Sequence, residues 1–268
     1  MSRLARTLYF IGLLVAPGAA VAADLPASQP APTEARFASG WTFSIDPIYG
    51  WIPGFKGDVS VFGNDAHIDV TTLDILDNLG PFLRALDGYY MGSGEWRSGR
   101  YGLGYDIVHF SVSGTRDFGN RILTGSADLG FSLTMATLTG NYRAFESAKA
   151  YADIVAGVRY TKVNIDLDLT VGPVPAAASG GDDWFDPVLG IRGRYDFADH
   201  WYVKGQALGG ALGGSDYLYD LSGLVGYSWS NGVEAYAGWR AAHTSYDKDD
   251  FTWDVTMTGP MLGLSYNF

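Results

Sequence analysis

Polar and apolar residues alternate along most of this chain. In "VEAYAGWRA", Val233, Ala235, Ala237, Trp239 and Ala241 share one face of an extended strand, and Glu234, Tyr236, Gly238 and Arg240 share the other. In "AYADIVAGVRY", Ala152, Ile154, Ala156, Val158 and Tyr160 oppose Asp153 and Arg159. In "WFDPVLGIRGRY", Phe185, Leu189, Ile191 and Tyr195 oppose Asp186, Arg192 and Arg194. In "DYLYDLSGLVGYSW", Tyr217, Tyr219, Leu221, Val225, Tyr227 and Trp229 oppose Asp220. A period of two predicts β-strands, here near 41–51, 84–97, 101–112, 124–143, 150–163, 184–196, 201–210, 216–229, 233–244 and 252–268. Most approach the roughly nine to eleven residues that a tilted strand needs to cross a bilayer.

A soluble sandwich would bury the apolar face of each strand. A barrel in lipid turns that face outward and keeps charges in the lumen, because a charge exposed to hydrocarbon is costly. Two patterns point to the barrel. Aromatic residues fall mainly at strand ends, where interfacial girdles sit. The connections also alternate in length. Ser98–Arg100, Glu146–Lys149, Ala198–His200 and Ser230–Gly232 are short, whereas 52–83, 113–123, 164–183 and 245–251 are longer, and 211–215 is the exception. Short turns on one side and long loops on the other fit an even number of antiparallel strands, about ten, with eight or twelve as the neighbouring counts.

The stretch "FKGDVSVFGNDAHIDV" within 52–83 predicts a small hairpin turning at Gly63-Asn64, with arms too short to span a membrane. "TTLDILDNLG" predicts a short helix with Thr72 as N-cap and Gly80 as its stop. Together they would cap the barrel or fold into its mouth. In the closing strand, Phe268, Tyr266, Leu264 and Leu262 alternate with Asn267, Ser265 and Gly263, and are expected to face lipid. Above Gly259-Pro260 the apolar set changes parity, to Met257, Val255, Trp253 and Phe251. Proline has no N–H for the ladder, which predicts a bulge that re-aims the upper half and turns Asp254 inward. The alternative is that the upper half lies beyond the membrane.

Composition narrows the class further. The chain has 268 residues, no cysteine, 36 Gly, 17 Tyr, 14 Phe and 8 Trp. Lack of Cys removes disulfides, thiol nucleophiles and Cys-type metal sites. Arg3, Arg6, the apolar run Leu8–Val15 and the small residues of Ala20-Val21-Ala22 or Val21-Ala22-Ala23 make a cleavable signal peptide over 1–23. A flexible Pro/Ala/Ser-rich linker is expected over 24–40, and the barrel over 41–268. Losing Arg3 and Arg6 takes the formal charge from −11 to about −13. So acidic a chain argues against a nucleic-acid partner. No later segment is apolar for the ~18 residues of a transmembrane helix.

The charges assigned to the lumen are Asp46, Glu95, Arg97, Asp106, Asp153, Arg159, Asp186, Arg192, Arg194, Lys204, Asp220, Glu234 and Arg240. Acid and base nearly balance, and a narrow lumen forces them to pair. The competing reading is a charge-lined narrow channel. Asp58, Asp65, Asp69, Asp74, Asp77, Asp182, Asp183, Asp247, Asp249 and Asp250 form a solvated acidic rim, without calcium-loop spacing. No metal site and no cofactor is expected. Of the histidines, His109 and His243 fall near outer strand ends, where Asp247, Asp249 or Asp250 would orient His243 as a general base in a surface enzyme. His67 and His200 carry no such suggestion. No GxSxG or HExxH motif is present, and "ALGGALGGSD" is not followed by a helix, so it is no phosphate loop.

Several stretches resemble a widespread group of proteobacterial outer-membrane barrel proteins described as porin-like or opacity-like. They are "DPIYGWIPGFKGDV", "DILDNL", "EWRSGRYGLGYDIVHFSVSG", "AGVRYTKV", "WFDPVLGIRGRYDF", "ALGGALGGSDYLYDLSGLVGYSWS", "YAGWR" and "GPMLGLSYNF", in order over nearly the whole mature chain. The chain departs from that pattern at "QALGGALGGSD", where members tend to carry an acidic residue before the glycines. The resemblance implies an outer-membrane location and a transmembrane antiparallel up-and-down β-barrel. It also implies a barrel assembly signal at Leu262, Leu264, Tyr266 and Phe268, read by the barrel assembly machinery. Lipid and lipopolysaccharide are the expected surroundings. A structural or surface-interaction barrel is the first functional expectation, a narrow porin for small solutes the second, and a surface enzyme the third.

Overall fold

The computed structural model describes residues 41–61, 64–119, 124–171 and 174–268. The expected signal peptide and linker lie outside them. In chain order the elements are β1 (Trp41–Trp51), β2 (Gly54–Val61), β3 (Asn64–Val70), α1 (Thr72–Asp77), α2 (Leu79–Ala85), β4 (Leu86–Ser98) and β5 (Tyr101–Gly119). They continue with β6 (Thr124–Glu146), β7 (Ala150–Val171), β8 (Val174–Ala198), β9 (Trp201–Gly210), β10 (Tyr217–Ser228), β11 (Val233–Lys248) and β12 (Phe251–Asn267). β1 and β4 to β12 form a closed antiparallel barrel of ten strands, sealed by the pairing of β1 with β12. The all-β barrel expected from the alternation is therefore the fold. β2 continues β1 along β12 beyond the break at Ile52-Pro53, and β3 folds back on β2. These are two extra strands, matching the expected hairpin, although residues 62–63 of its turn lie outside the described ones.

Each strand changes character part-way along. Next to the short turns, large apolar side chains point outward: Leu262, Leu264, Leu189, Ile191, Ile154 and Leu221 are all exposed. Aromatic residues bound this belt. Trp41, Tyr101, Tyr195 and Trp201 lie at the turn rim, and Phe185 and Tyr217 lie at its other edge. From Tyr195 to Phe185 on β8 the belt spans roughly 25 Å, at ~3.3 Å per residue and ~40° of tilt. Beyond it the polarity inverts. Phe251, Trp253, Val255 and Met257 of β12 are buried inside, while Asp254 is exposed outside. Val108, Phe110, Leu133, Met135, Val163 and Trp184 join them in one continuous interior cluster.

This inversion corrects the expected bulge. β11 and β12 pair without a register shift from Val233↔Tyr266 to Lys248↔Phe251, so Gly259-Pro260 re-aims nothing and Asp254 stays on the outer face. The chain keeps its geometry and its surroundings change. A wall in lipid needs apolar residues outside, and the same wall in water needs them inside.

Other expectations shift for related reasons. The loops expected at 113–123 and 164–183 are mostly strand. β5–β6 and β7–β8 rise as tall ribbons whose residues pair one to one far beyond the belt. Likewise 245–251 is a tight turn, with Asp249 at φ 53. The helix is capped by Thr71 instead of Thr72. The Thr71 hydroxyl accepts from the Asp74 N–H at 3.2 Å, and the Asp74 carboxylate accepts from the Thr71 N–H at 2.8 Å. Gly80 does not end it. A second helix follows the break at Asn78, because Pro81 has no N–H for the Asp77 carbonyl.

Candidate functional site: a charged chamber closed at one end

Inside the belt, the inward faces of β1 and β4 to β12 enclose a cavity of about 650 Å³. It reaches the turn rim, where Ser147, Lys149, Ser230 and Asn267 line it. At the other end Tyr49, Leu224, Met261 and Arg240 form its roof. Above the roof stands the apolar cluster, in which Phe131 stacks on Trp253 at 5.9 Å and Trp184 stacks on Tyr246 at 4.0 Å. The β7–β8 ribbon leans over this cluster. The Tyr246 hydroxyl donates to Asp182, and Gly180 lies so close to Val61 that a Cβ there would clash with it.

The charged residues meet across the lumen. Asp220 of β10 is fully buried between Arg159 of β7 (2.6 Å) and Arg240 of β11 (2.7 Å). Arg240 also donates to Asp106 of β5 at 2.8 Å and to the Tyr49 hydroxyl at 2.6 Å, and lies 4.9 Å from the Trp51 ring. Arg159 donates to Thr137 at 2.9 Å. Nearer the turn rim, Asp153 of β7 accepts from Arg97 of β4 (2.7 Å), Arg192 of β8 (2.9 Å) and Arg143 of β6. Glu95 accepts from Arg97 at 2.6 Å and from Arg192. Arg194 donates to Glu234 at 2.8 Å and Asp196 at 2.9 Å, with its guanidinium 3.6 Å above the Tyr202 ring. Charge-assisted bonds between non-neighbouring strands tie opposite walls together, and each removes the penalty of a buried lone charge.

Of the thirteen charges expected in the lumen, ten line the chamber, and Asp153, Asp186 and Asp220 are buried. Asp46 accepts from Ser93, and Lys204 lies on the same chamber wall. Asp186 stands apart from the others. It is fully buried and accepts from the Ser215 N–H at 2.9 Å, holding the 211–216 loop against the wall. Gly213 and Gly214 permit that approach, since a Cβ on either would strike Phe185, Asp186 or Trp184. The sequence reading omits Arg143, although Thr137, Thr139 and Asn141 already place its face inward. It also omits the Tyr49 and Tyr202 side chains that stack or bond with the guanidinium groups, because tyrosine on a lumen face reads as apolar.

The histidines are not brought together. His109 and His243 both lie on the outer wall, separated by β4, β1 and β12. Each is within hydrogen-bond distance of a threonine on the adjacent strand, His109 with Thr134 (2.9 Å) and His243 with Thr256 (3.0 Å). His243 packs on Tyr217 and Tyr219, and its nearest carboxylate is Asp254 at 3.7 Å. Asp247, expected to orient it, accepts from Thr252 at 3.2 Å instead. His67 pairs with Asp58 on the β2–β3 hairpin at 2.6 Å, and His200 sits in the exposed β8–β9 turn.

No protein-family model matches the sequence, and no curated protein matches it. Solved structures do match in shape. The outer membrane protease OmpT from Escherichia coli superposes with a TM-score of 0.57 at 12% identity, over 85% of this chain and 97% of that one. The likeness is one of fold. The translocator domain of the autotransporter NalP from Neisseria meningitidis matches at a TM-score of 0.39 and 10% identity, over 85% of this chain and 89% of that one. The attachment invasion locus protein Ail of Yersinia pestis matches at 0.32 and 13%, over 86% of this chain and all (100%) of that one.

Proposed function

We propose that this protein is a bacterial outer-membrane barrel with a structural or surface-interaction role, and that its lumen is a periplasm-facing chamber sealed from the outside. The inversion of polarity along the strands carries this reading. An apolar exterior of roughly bilayer height sits below an apolar interior, so the wall is built for lipid at one end and for water at the other. The short turns face the periplasm, and the tall ribbons stand in the medium beyond the outer leaflet and its lipopolysaccharide.

A porin is the less favoured reading. A solute crossing the lumen would have to part the Arg159–Asp220–Arg240 layer and then the packed aromatic and aliphatic cluster above it. A surface enzyme is less favoured still, since neither outer-wall histidine is set beside a carboxylate at hydrogen-bond distance.

Fractionation with a swelling assay tests the proposal. The protein is expected in the outer-membrane fraction, running faster on a denaturing gel before boiling than after. Liposomes containing it are expected to exclude small sugars. Recovery in the soluble periplasmic fraction, or rapid sugar permeation, would contradict it.

A further inference from the structure

The ladder between β1 and β4 is short. It runs from Trp41↔Ser98 to Ile45↔Gly94 and stops. Beyond that point, among the described residues, Ile48–Trp51 pairs only with β12, and Leu86–Ser93 pairs only with β5. The cause is local. The β1–β12 register is irregular between Ile45 and Ile48, where Pro47 has no N–H to donate.

This gap lies at membrane depth. Ile48 and Gly50 are in register with Leu264 and Leu262 of the apolar belt, and every other neighbouring pair of strands is laddered at that height. An open sheet edge is not tolerated in hydrocarbon unless it is covered or lines a polar cavity. Two side chains span the gap. Ser93 donates to Asp46 at its lower end. Higher up, the Tyr89 hydroxyl reaches the Tyr49 carbonyl at 3.5 Å. A phenol thus stands where a backbone amide would bridge strands ~4.8 Å apart. Tyr89 is in register with the buried Phe110, which makes it an inward-facing residue, yet it is 49% exposed. An inward side chain half exposed looks out through an opening. On the inner side, Asp46, Tyr49, Ser93 and Gly94 line the charged chamber.

We propose that the β1–β4 seam is a lateral port through which a single-chain membrane amphiphile passes between the bilayer and the chamber, with Tyr89 as its door. The edges of the seam carry Ile48, Tyr89, Tyr90 and Met91, suited to an apolar chain. The chamber wall behind it holds Asp46 and Glu95 near Lys204, suited to a neutral or zwitterionic hydrogen-bonding head. The cavity is within the usual size range for small-molecule sites. This port rests on the membrane placement proposed above.

The absence of native cysteine allows a clean test in the full-length protein refolded into vesicles. Three single variants are treated with N-dodecylmaleimide partitioned into the bilayer and with a sulfonated, water-soluble maleimide. Leu221→Cys lies on the belt, Ser93→Cys at the seam, and Ser222→Cys on another part of the chamber wall. The bilayer reagent is expected to alkylate Leu221→Cys and Ser93→Cys, and Ser222→Cys about tenfold more slowly, after correction for intrinsic thiol reactivity by the soluble reagent. Adding Tyr89→Ala should speed the Ser93→Cys reaction with the bilayer reagent alone. Equal bilayer-reagent rates at Ser93→Cys and Ser222→Cys, or no response to Tyr89→Ala, would overturn the port. Failure of Leu221→Cys to react would overturn the membrane placement instead.

Discussion

Asp220 shows how much one lumen side chain holds. It has no exposed surface and receives two guanidinium groups from different strands. Asp220→Ala leaves both cations buried without their shared partner and is expected to cost about 3–5 kcal/mol. Arg192→Ala removes a partner that Glu95 and Asp153 each replace with Arg97, so its cost is expected nearer ~1–3 kcal/mol. Thermal or urea unfolding in detergent measures both. Equal costs would mean that the Asp220 layer is not the tighter one. The inward charges were legible because each sits opposite an apolar residue in a period of two. Which acid meets which base was not, since every long-range pair depends on strands brought together by closure of the barrel.

At the scale of elements, the closing strand separates two accounts of one sequence pattern. With Asp254 outside and Val255 inside the cluster, Asp254→Val is expected to change stability by no more than ~0.5 kcal/mol, and Val255→Asp to cost more than about 4 kcal/mol. The reverse ranking would restore the bulge. Strand positions could be read from the sequence because alternation marks a strand in lipid or in water. The parity change could not be interpreted there, because alternation does not say on which side the solvent lies. The ribbons read as loops for a related reason. Runs such as "DLDLT" alternate as well, but a strand expected to end at the bilayer edge leaves them to the loops. The α1 cap offers a pH test. The Asp74 carboxyl is held below the usual carboxylate range by the Thr71 hydroxyl and then by the Thr71 N–H. A lowered folded value stabilises the helix above the unfolded value and loses that contribution as pH falls through the folded one. Amide exchange in α1 should therefore be flat near neutrality and quicken in acid, and Thr71→Ala, costing about 1 kcal/mol, should remove most of that acid dependence.

The whole molecule is one closed barrel whose taller strands run on beyond it, so that two environments lie end to end on one set of strands. One is apolar outside with a charged chamber, and the other is polar outside with an apolar core. Planar-bilayer conductance tests this most directly, with the wild-type protein beside a Leu133→Gly, Met135→Gly, Trp253→Gly variant that hollows the plug and leaves the belt untouched. A silent wild type is expected, and current steps from the hollowed variant would mark the apolar cluster, not the Arg159–Asp220–Arg240 layer, as the tighter barrier. Steady single-channel currents from the wild type would contradict the sealed lumen.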